Sequence, residues 1–209
     1  MKNENSISMQ SSDISRTRKM VQIAMLSAIA AILMYFEFPL PFAPSFYQID
    51  FSELPIIIGG FSMGPLAGVI IEFLKILIHF IIKGTSTAGV GDVANFLVGC
   101  SFIVPASLIY KHHKSKIVAV LSLTTGTLCM TIVAVFMNAF VLLPTYATAF
   151  HMPIKSLIAM GTSINSHINN LFTFVLLAVA PFNLLKGFLI SLITFLIYKK
   201  ISPILHKKN

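Results

Sequence analysis

The stretch LPIIIGGFSMGPLAGVIIEFLKILIHFII, residues 54–82, decides how this chain folds. As one uninterrupted segment it would form a single long apolar helix. Divided at Gly64-Pro65, it forms a tight pair of helices instead. A proline breaks a helix interior but suits the first turn of a new helix. We therefore predict two helices that meet at Gly64-Pro65, of which the first is short and either tilts or dips.

The composition of the chain places these helices in a lipid bilayer. Of the 209 residues, 56% are hydrophobic and only 11% are charged, and the mean hydropathy is +0.87. A soluble domain of this size typically has a smaller fraction of apolar residues and a larger fraction of charged and polar residues. Several runs approach or exceed the roughly 18 apolar residues that cross a bilayer. The sequence predicts an all-α, polytopic protein of the cell membrane.

The basic residues indicate which ends of the helices share a side of the membrane. The net charge is +8, and eleven of the fifteen basic residues form three clusters that flank apolar runs. The clusters are Lys2, Arg16, Arg18 and Lys19; Lys111, Lys114 and Lys116; and Lys199, Lys200, Lys207 and Lys208. This is the positive-inside pattern and not a nucleic-acid-binding stripe. With the break at Gly64-Pro65, it predicts six transmembrane helices with both termini cytoplasmic, and no nucleic-acid partner.

Three parts of the chain follow from this pattern. Residues 1–15 are predicted to be a disordered polar leader, residues 16–200 a six-helix membrane domain, and residues 201–209 a basic cytoplasmic tail. Within the membrane domain the fifth helix is expected to leave the membrane near Leu143. The sixth is expected to enter near Pro181, and the more polar residues 144–170 lie between them.

Polar side chains interrupt two of the apolar runs at a similar depth in the membrane. Asn138 is predicted a few residues below the outer end of the fifth helix, and Asn183 and Lys186 within two turns of the outer end of the sixth. The spacing of Asn183 and Lys186 puts both on one helix face. Ionisable groups inside a membrane are costly and are functional candidates. The alternative is a lysine that snorkels outward while the asparagines bind neighbouring helices together.

Other features favour structural roles. Glu72 and Lys75 are expected to form an ion pair, and Gly60, Gly64 and Gly68 to allow close helix packing. The histidines His79 and His167 lack ligand spacing and are expected to be structural or hydrogen-bonding. The loop GTSTAGVGD, residues 84–92, is suited either to a polyhydroxy ligand or to an ordinary connector.

The sequence contains no pattern typical of an enzyme or a metal site. Cys100 and Cys129 both lie in apolar runs without metal-ligand spacing, and no phosphate-binding GK[ST] motif occurs. No pair of catalytic groups is expected to face water. We predict no enzymatic activity, no metal and no cofactor. In the first helix, Ala24 and Ala28 make a flat surface that admits another helix, from this protein or from a partner.

The run IDFSELPIIIGGFSMGPLAGVIIEFLKILIHFIIKGTSTAGVGDVANFLVG, residues 49–99, resembles the riboflavin-binding S components of energy-coupling factor (ECF) transporters. The AxxxA of the first helix, the Pro-rich first loop and PFNLLKG (residues 181–187) match as well. The resemblance extends over about residues 16–200. It implies a prokaryotic plasma-membrane protein that captures riboflavin from outside, not as a cofactor but as cargo. It would then associate with a membrane scaffold subunit, EcfT, and two cytoplasmic ATPases, topple in the bilayer and release riboflavin inward.

The resemblance also implies roles for individual residues. The flavin-contacting residues of the family match Asn138, Asn183 and Lys186, and Tyr47, Thr87 and Asn95 are further candidates. Ala24 and Ala28 match the surface that faces the scaffold. The alternative function is a self-sufficient secondary transporter for a small vitamin-like molecule. It would need an ion-coupling constellation or inverted repeats, and neither is visible in the sequence.

Overall fold

The computed structural model describes residues 2–41, 43–44, 47–85, 89–149 and 151–206, with side chains from residue 16 to residue 197 and at Lys200. Helices and two short strands follow one another in this order: α1 (Lys2–Tyr35), β1 (Phe38–Pro39), β2 (Gln48–Ile49), α2 (Glu53–Met63), α3 (Pro65–Lys83), α4 (Val90–His112), α5 (Lys116–Met137), α6 (Leu143–Ala149), α7 (Ile154–Thr162), α8 (Leu171–Phe174) and α9 (Ala180–His206). A π-helical turn, Asn138–Leu142, joins α5 to α6, and a second, Val175–Val179, joins α8 to α9. Because α1 begins at Lys2, it includes the leader that we expected to be disordered; the division of the chain into three parts stays a prediction.

Five of the described helical segments are long and apolar enough to cross a membrane. They are Arg16–Tyr35, Pro65–Lys83, Val90–His112, Lys116–Ala149 and Leu171–Ile197. The second of the six predicted helices, α2, is not among these five and has only 11 residues. At 1.5 Å per residue it reaches about half the thickness of a hydrocarbon core. Its residues are largely buried, and it packs against α1, α3, α4 and α9.

The division of residues 54–82 at Gly64-Pro65 is confirmed. Pro65 is the first residue of α3, and Gly64 has a φ of +99°, a conformation that residues with a side chain rarely adopt. A Cβ atom at Gly60 would collide with Ser107, and one at Gly68 with Ile103, so these two glycines permit close packing against α4. Gly64 has open space around it. Its role is conformational, which corrects the expectation that all three glycines serve packing.

The α5–α6 and α8–α9 segments extend further than the sequence predicted. The fifth span continues past Leu143 to Ala149, and the last begins at Leu171 and not near Pro181. In both segments a π-helical turn lies just before a proline, Pro144 or Pro181. A proline lacks an N–H and clashes with the preceding turn, and a wide turn accommodates it without ending the helix. Asn138 and Asn183 consequently lie well inside their helical segments, at similar distances from the ends Ala149 and Leu171.

The first loop folds back over the end of the helical bundle. Strands β1 and β2 pair antiparallel, with Phe38 opposite Ile49 and Pro39 opposite Gln48. The loop core is small and apolar, and consists of Ala43, Ile49 and Phe182 of α9. This anchoring positions Tyr47 and the segment that leads into α2 above the ends of α5 and α9.

Candidate functional site

A cavity of about 300 Å³ lies under the first loop, between α3, α4, α5 and α9. This volume is at the lower end of the range for small-molecule sites. Five residues predicted from the sequence line it together: Tyr47, Asn95, Asn138, Asn183 and Lys186. The sixth, Thr87, lies outside the described residues. Side chains that are far apart in sequence therefore converge on one partly enclosed cavity.

Asn138 begins the first π-helical turn and is only 4% exposed. Its Nδ2 donates a hydrogen bond to the Ala134 carbonyl at 2.8 Å, and its Oδ1 accepts one from the Tyr47 hydroxyl. Tyr47 is also packed between the rings of Phe174 and Phe182. Burial is the main reason that the pKa of Tyr47 is raised well above its usual value, so the hydroxyl stays protonated and remains a donor. The loop thereby fixes the orientation of the Asn138 amide.

Asn183 on α9 is 6% exposed and keeps more of its hydrogen-bonding capacity free. Its Nδ2 donates to the Val179 carbonyl at 2.9 Å, which fixes the plane of the amide. Within the described part of the chain, its Oδ1 and its second N–H have no hydrogen-bond partner. An amide held in this way offers the cavity one acceptor and one donor side by side.

Lys186 is buried, at 8% exposure, and does not snorkel outward. Its Nζ lies 2.9 Å from Asp50 Oδ2 and 3.9 Å from Glu53 Oε1. Burial alone would raise the pKa of the Asp50 carboxyl. The ammonium groups of Lys186 and Lys75 lower that pKa below its usual range overall, and the Ser52 N–H donates a hydrogen bond to Asp50 Oδ1 at 2.7 Å. The Lys186 ammonium is therefore held by an ionised partner in the first loop.

A second ion-pair cluster adjoins the first. Lys75 Nζ lies 2.7 Å from Glu72 Oε1 and 3.1 Å from Glu53 Oε1, and it donates to Asn95 Oδ1 at 3.3 Å. The predicted Glu72–Lys75 pair is confirmed. Glu53 is near both lysines and thus links α2, α3 and α9. Such a buried cluster is rigid because each charge is costly without its partners.

Asp50 and Glu53 were not among the site residues predicted from the sequence. Both are 2% exposed and are the counter-ions of the intramembrane lysines. The sequence did indicate that such partners exist, because two lysines inside apolar helices require acidic partners. Asp50 and Glu53 are three residues apart at the start of the buried helix α2, where they can supply these partners.

The mouth of the cavity has a different set of polar groups. Glu37, at the end of α1, forms an ion pair with Lys83, at the end of α3. Inside this pair lie His79 of α3 and Asp92 of α4, with His79 Nδ1 3.9 Å from Asp92 Oδ1. We find no cluster of three metal-ligating side chains among the described residues.

The predicted partner surface on α1 lies away from the cavity. Ala24 and Ala28 are exposed on the outside of the bundle, whereas Ser27, Ala30 and Ala31 of the same helix are buried. The flat surface that these alanines make is thus not used for packing within the described chain. Its use as a docking surface stays a prediction.

A polar, partly enclosed cavity among membrane-length apolar helices defines the class: a multi-pass membrane protein with a small-molecule site. The chain matches the family "ECF transporter, substrate-specific component" over residues 18–198. It is 38% identical over 190 residues to the riboflavin transporter FmnP of Bacillus subtilis (strain 168), covering 90% of this chain and 94% of that protein. It is 33% identical over 195 residues to the riboflavin transporter RibU of Staphylococcus aureus (strain TCH60), covering 93% and 96%.

A solved structure of the S component of a bacterial ECF transporter has the same fold. It aligns with a TM-score of 0.70 at 34% identity, covering 92% of this chain and 99% of that one. The chain therefore belongs to the family of substrate-specific components of ECF transporters. It is a transport protein of the plasma membrane and not an enzyme.

Proposed function

We propose that this chain is the S component that binds riboflavin for uptake by an ECF transporter. Riboflavin is its cargo, and we propose no cofactor. The observation that carries the proposal is the convergence of Asn138, Asn183 and Lys186 on one cavity. The names of the similar proteins, riboflavin transporters, support the same substrate.

The free hydrogen-bonding groups match the edge of a flavin. The pyrimidine end of the flavin ring presents a carbonyl, an N–H and a second carbonyl. The Oδ1 of Asn183 would accept from the ring N–H, while its free N–H donates to one carbonyl. A second N–H of Asn138 and the Lys186 ammonium are donors for the remaining acceptors. A ligand without this edge would leave buried amides unpaired, at a cost of about 1–3 kcal/mol for each.

The rest of the cavity wall suits an aromatic ring system. Its apolar lining includes Met34 of α1, Met130 of α5, Leu142 of the first π-helical turn and Phe182 of α9. Such a wall is expected to contact the dimethylbenzene end of the flavin. Polar groups then fix the orientation of one end of the ligand while apolar groups surround the other.

For the membrane topology we propose that α2 and α3 together make two of six transmembrane segments, with both termini in the cytoplasm. The support is the distribution of basic clusters, which this arrangement places on one side. The short α2 is buried against four other helices, so its backbone is shielded from lipid by protein.

The partners that we propose are the scaffold subunit EcfT and two cytoplasmic ATPases. The exposed Ala24–Ala28 surface supports a helix-docking contact with the scaffold, because small residues let two helices approach closely. In this proposal ATP hydrolysis takes place in the partner subunits, and this chain contributes the substrate site.

The test of the proposal is the bound ligand itself. The intact protein, purified from cells grown in rich medium, should be yellow and carry nearly stoichiometric flavin. Colourless protein that also fails to quench riboflavin fluorescence on titration would exclude riboflavin as its substrate. Co-purification of a scaffold and ATPases tests the partners separately.

A further inference from the structure

We infer that the hydroxyl of Tyr47, in the first loop, acts on the ligand through Asn138, which makes Tyr47 a positioning residue and not a hydrogen-bonding contact of the ligand. The inference rests on the proposed function, because it takes Asn138 as a donor to riboflavin. The sequence resemblance made Tyr47 a candidate ligand contact. In the structure its hydroxyl has another partner, since it donates a hydrogen bond to Asn138 Oδ1.

Two hydrogen bonds fix the direction of the Asn138 amide. The Ala134 carbonyl can only accept, so Nδ2 must point toward it, and Oδ1 then faces Tyr47. Because burial raises the pKa of Tyr47, its hydroxyl keeps its proton and remains the donor to Oδ1. The second N–H of Asn138 is left to donate into the cavity. Without the Tyr47 hydroxyl, the amide loses one of the two contacts that hold this N–H in place.

Tyr47 is itself held in a socket of side chains from two helical segments. Its ring centroid lies 5.5 Å from that of Phe182 and 6.4 Å from that of Phe174. Tyr47 also packs against the buried apolar cluster that contains Phe174 and Tyr146. A ring enclosed by several side chains has little freedom to swing toward a ligand. The socket therefore keeps the Tyr47 hydroxyl on Asn138.

The two π-helical turns explain why the side chains around Tyr47 share a face. Two α-helical turns take about 7 residues, whereas an α-helical turn and a π-helical turn together take about 8. Residues eight apart therefore align much better across a π-helical turn than along an α-helix. Asn138 and Tyr146 are eight apart across the first π-helical turn, and Phe174 and Phe182 across the second. The turns thus build the socket that positions Tyr47.

The test is a double-mutant cycle on the full-length purified protein, with riboflavin affinity measured by fluorescence quenching. Tyr47→Phe keeps the ring in its socket and removes the hydroxyl, and it should weaken binding about 2- to 10-fold. In an Asn138→Leu background the same change should cause no further loss, because the group through which the hydroxyl acts is gone. Tyr35→Phe, at an exposed tyrosine outside the cavity lining, is the matched control and should leave the affinity unchanged.

The outcomes separate this inference from the proposed function. If Tyr47→Phe costs the same affinity with and without Asn138, the hydroxyl contacts the ligand directly and the inference is overturned. Unchanged affinity in Tyr47→Phe alone overturns it as well. If the wild-type protein does not bind riboflavin, the proposed function fails first. Ligand-free melting temperatures show whether each variant is folded, and Asn138→Ala replaces Asn138→Leu in the cycle if the latter is not.

Discussion

Lys186 of α9 forms an ion pair with Asp50 of the first loop, and Nζ and Oδ2 are 2.9 Å apart. This contact joins two segments 136 residues apart in sequence and closes one side of the cavity. Lys186 therefore has a structural role through this ion pair, and it is also a candidate ligand contact because it lines the cavity. The predictions below separate these two roles.

Removing the partner of Lys186 should destabilise the protein without ligand. Among the described residues, Asp50→Asn leaves the buried ammonium with Glu53, at 3.9 Å, as its remaining carboxylate partner. Breaking a buried pair costs about 3–5 kcal/mol, and Glu53 should keep the loss near the lower end of that range. We expect a lower melting temperature for the ligand-free variant. The double variant Asp50→Asn/Lys186→Met should recover much of the loss. An unchanged melting temperature in Asp50→Asn would show that the pair contributes little.

The contribution of Asp50 to stability has a predictable pH range. Because the pKa of Asp50 is lowered on folding, its stabilising effect is fully present above the ordinary carboxyl pKa of about 3.9. It is lost only as the pH falls through the lower, folded value. The difference in melting temperature between wild type and Asp50→Asn should therefore stay constant between about pH 7 and pH 5. A difference that shrinks steadily over this interval would mean that Asp50 titrates in it.

Replacing Asn183 should lower the affinity for riboflavin without lowering the stability of the ligand-free protein. In the described structure its one hydrogen bond goes to its own helix backbone, so Asn183→Leu leaves no partner unpaired elsewhere. Riboflavin affinity should fall about 5- to 150-fold, which corresponds to about 1–3 kcal/mol. The ligand-free melting temperature should not decrease. Asn169→Leu, at an exposed asparagine outside the cavity lining, is the control for affinity and should leave it unchanged.

Bulky residues on the outer face of α1 should uncouple binding from uptake. Ala24→Phe and Ala28→Phe should block close approach of the scaffold helix while the cavity, which lies elsewhere, keeps its affinity. Riboflavin uptake by cells is measured beside binding to the isolated protein. Leu128→Phe, at an exposed position of α5, is the control. If flavin binding falls together with uptake, the alanines contribute to the fold and the docking proposal is wrong.

The topology can be tested with single cysteines in a variant without Cys100 and Cys129. Ser115, between α4 and α5, and Ser163, after α7, are both exposed. The proposed topology places them on opposite sides of the membrane. A membrane-impermeant thiol reagent added to intact cells should label a cysteine at Ser163 and not one at Ser115. Labelling of both positions would contradict the six-segment topology.

Local chemistry made much of this structure predictable. The Gly64-Pro65 break, the apolar spans and the Glu72–Lys75 pair depend on residues close in sequence. Asn138, Asn183 and Lys186 were also placed together correctly, since each is a polar group in an apolar helix and each needs a partner. Their depth was misjudged because the fifth helix was predicted to end near Leu143 and the sixth to begin near Pro181, whereas the two segments reach Ala149 and Leu171. The π-helical turns that accommodate Pro144 and Pro181 have no obvious sequence pattern.

The partners of the buried lysines were not predictable from spacing. The distance from Asp50 to Lys186 along the chain carries no geometric information, and only the packing of the loop core against Phe182 brings them together. The same holds for His79 and Asp92, which meet because α3 and α4 pack side by side. Counting the unpaired intramembrane charges would have indicated that acidic partners exist, but not which ones.

The most direct test of the central claim, that riboflavin binds in the cavity lined by Asn138, Asn183 and Lys186, is a paired titration. Purified wild-type protein and Asn183→Leu are titrated with riboflavin, and quenching of flavin fluorescence is followed to saturation. We predict saturation at one flavin per chain for the wild type and a binding curve shifted to clearly higher riboflavin concentration for the variant, with equal melting temperatures of the ligand-free proteins. Superimposable curves for the two proteins, or the absence of saturable binding to the wild type, would contradict the claim.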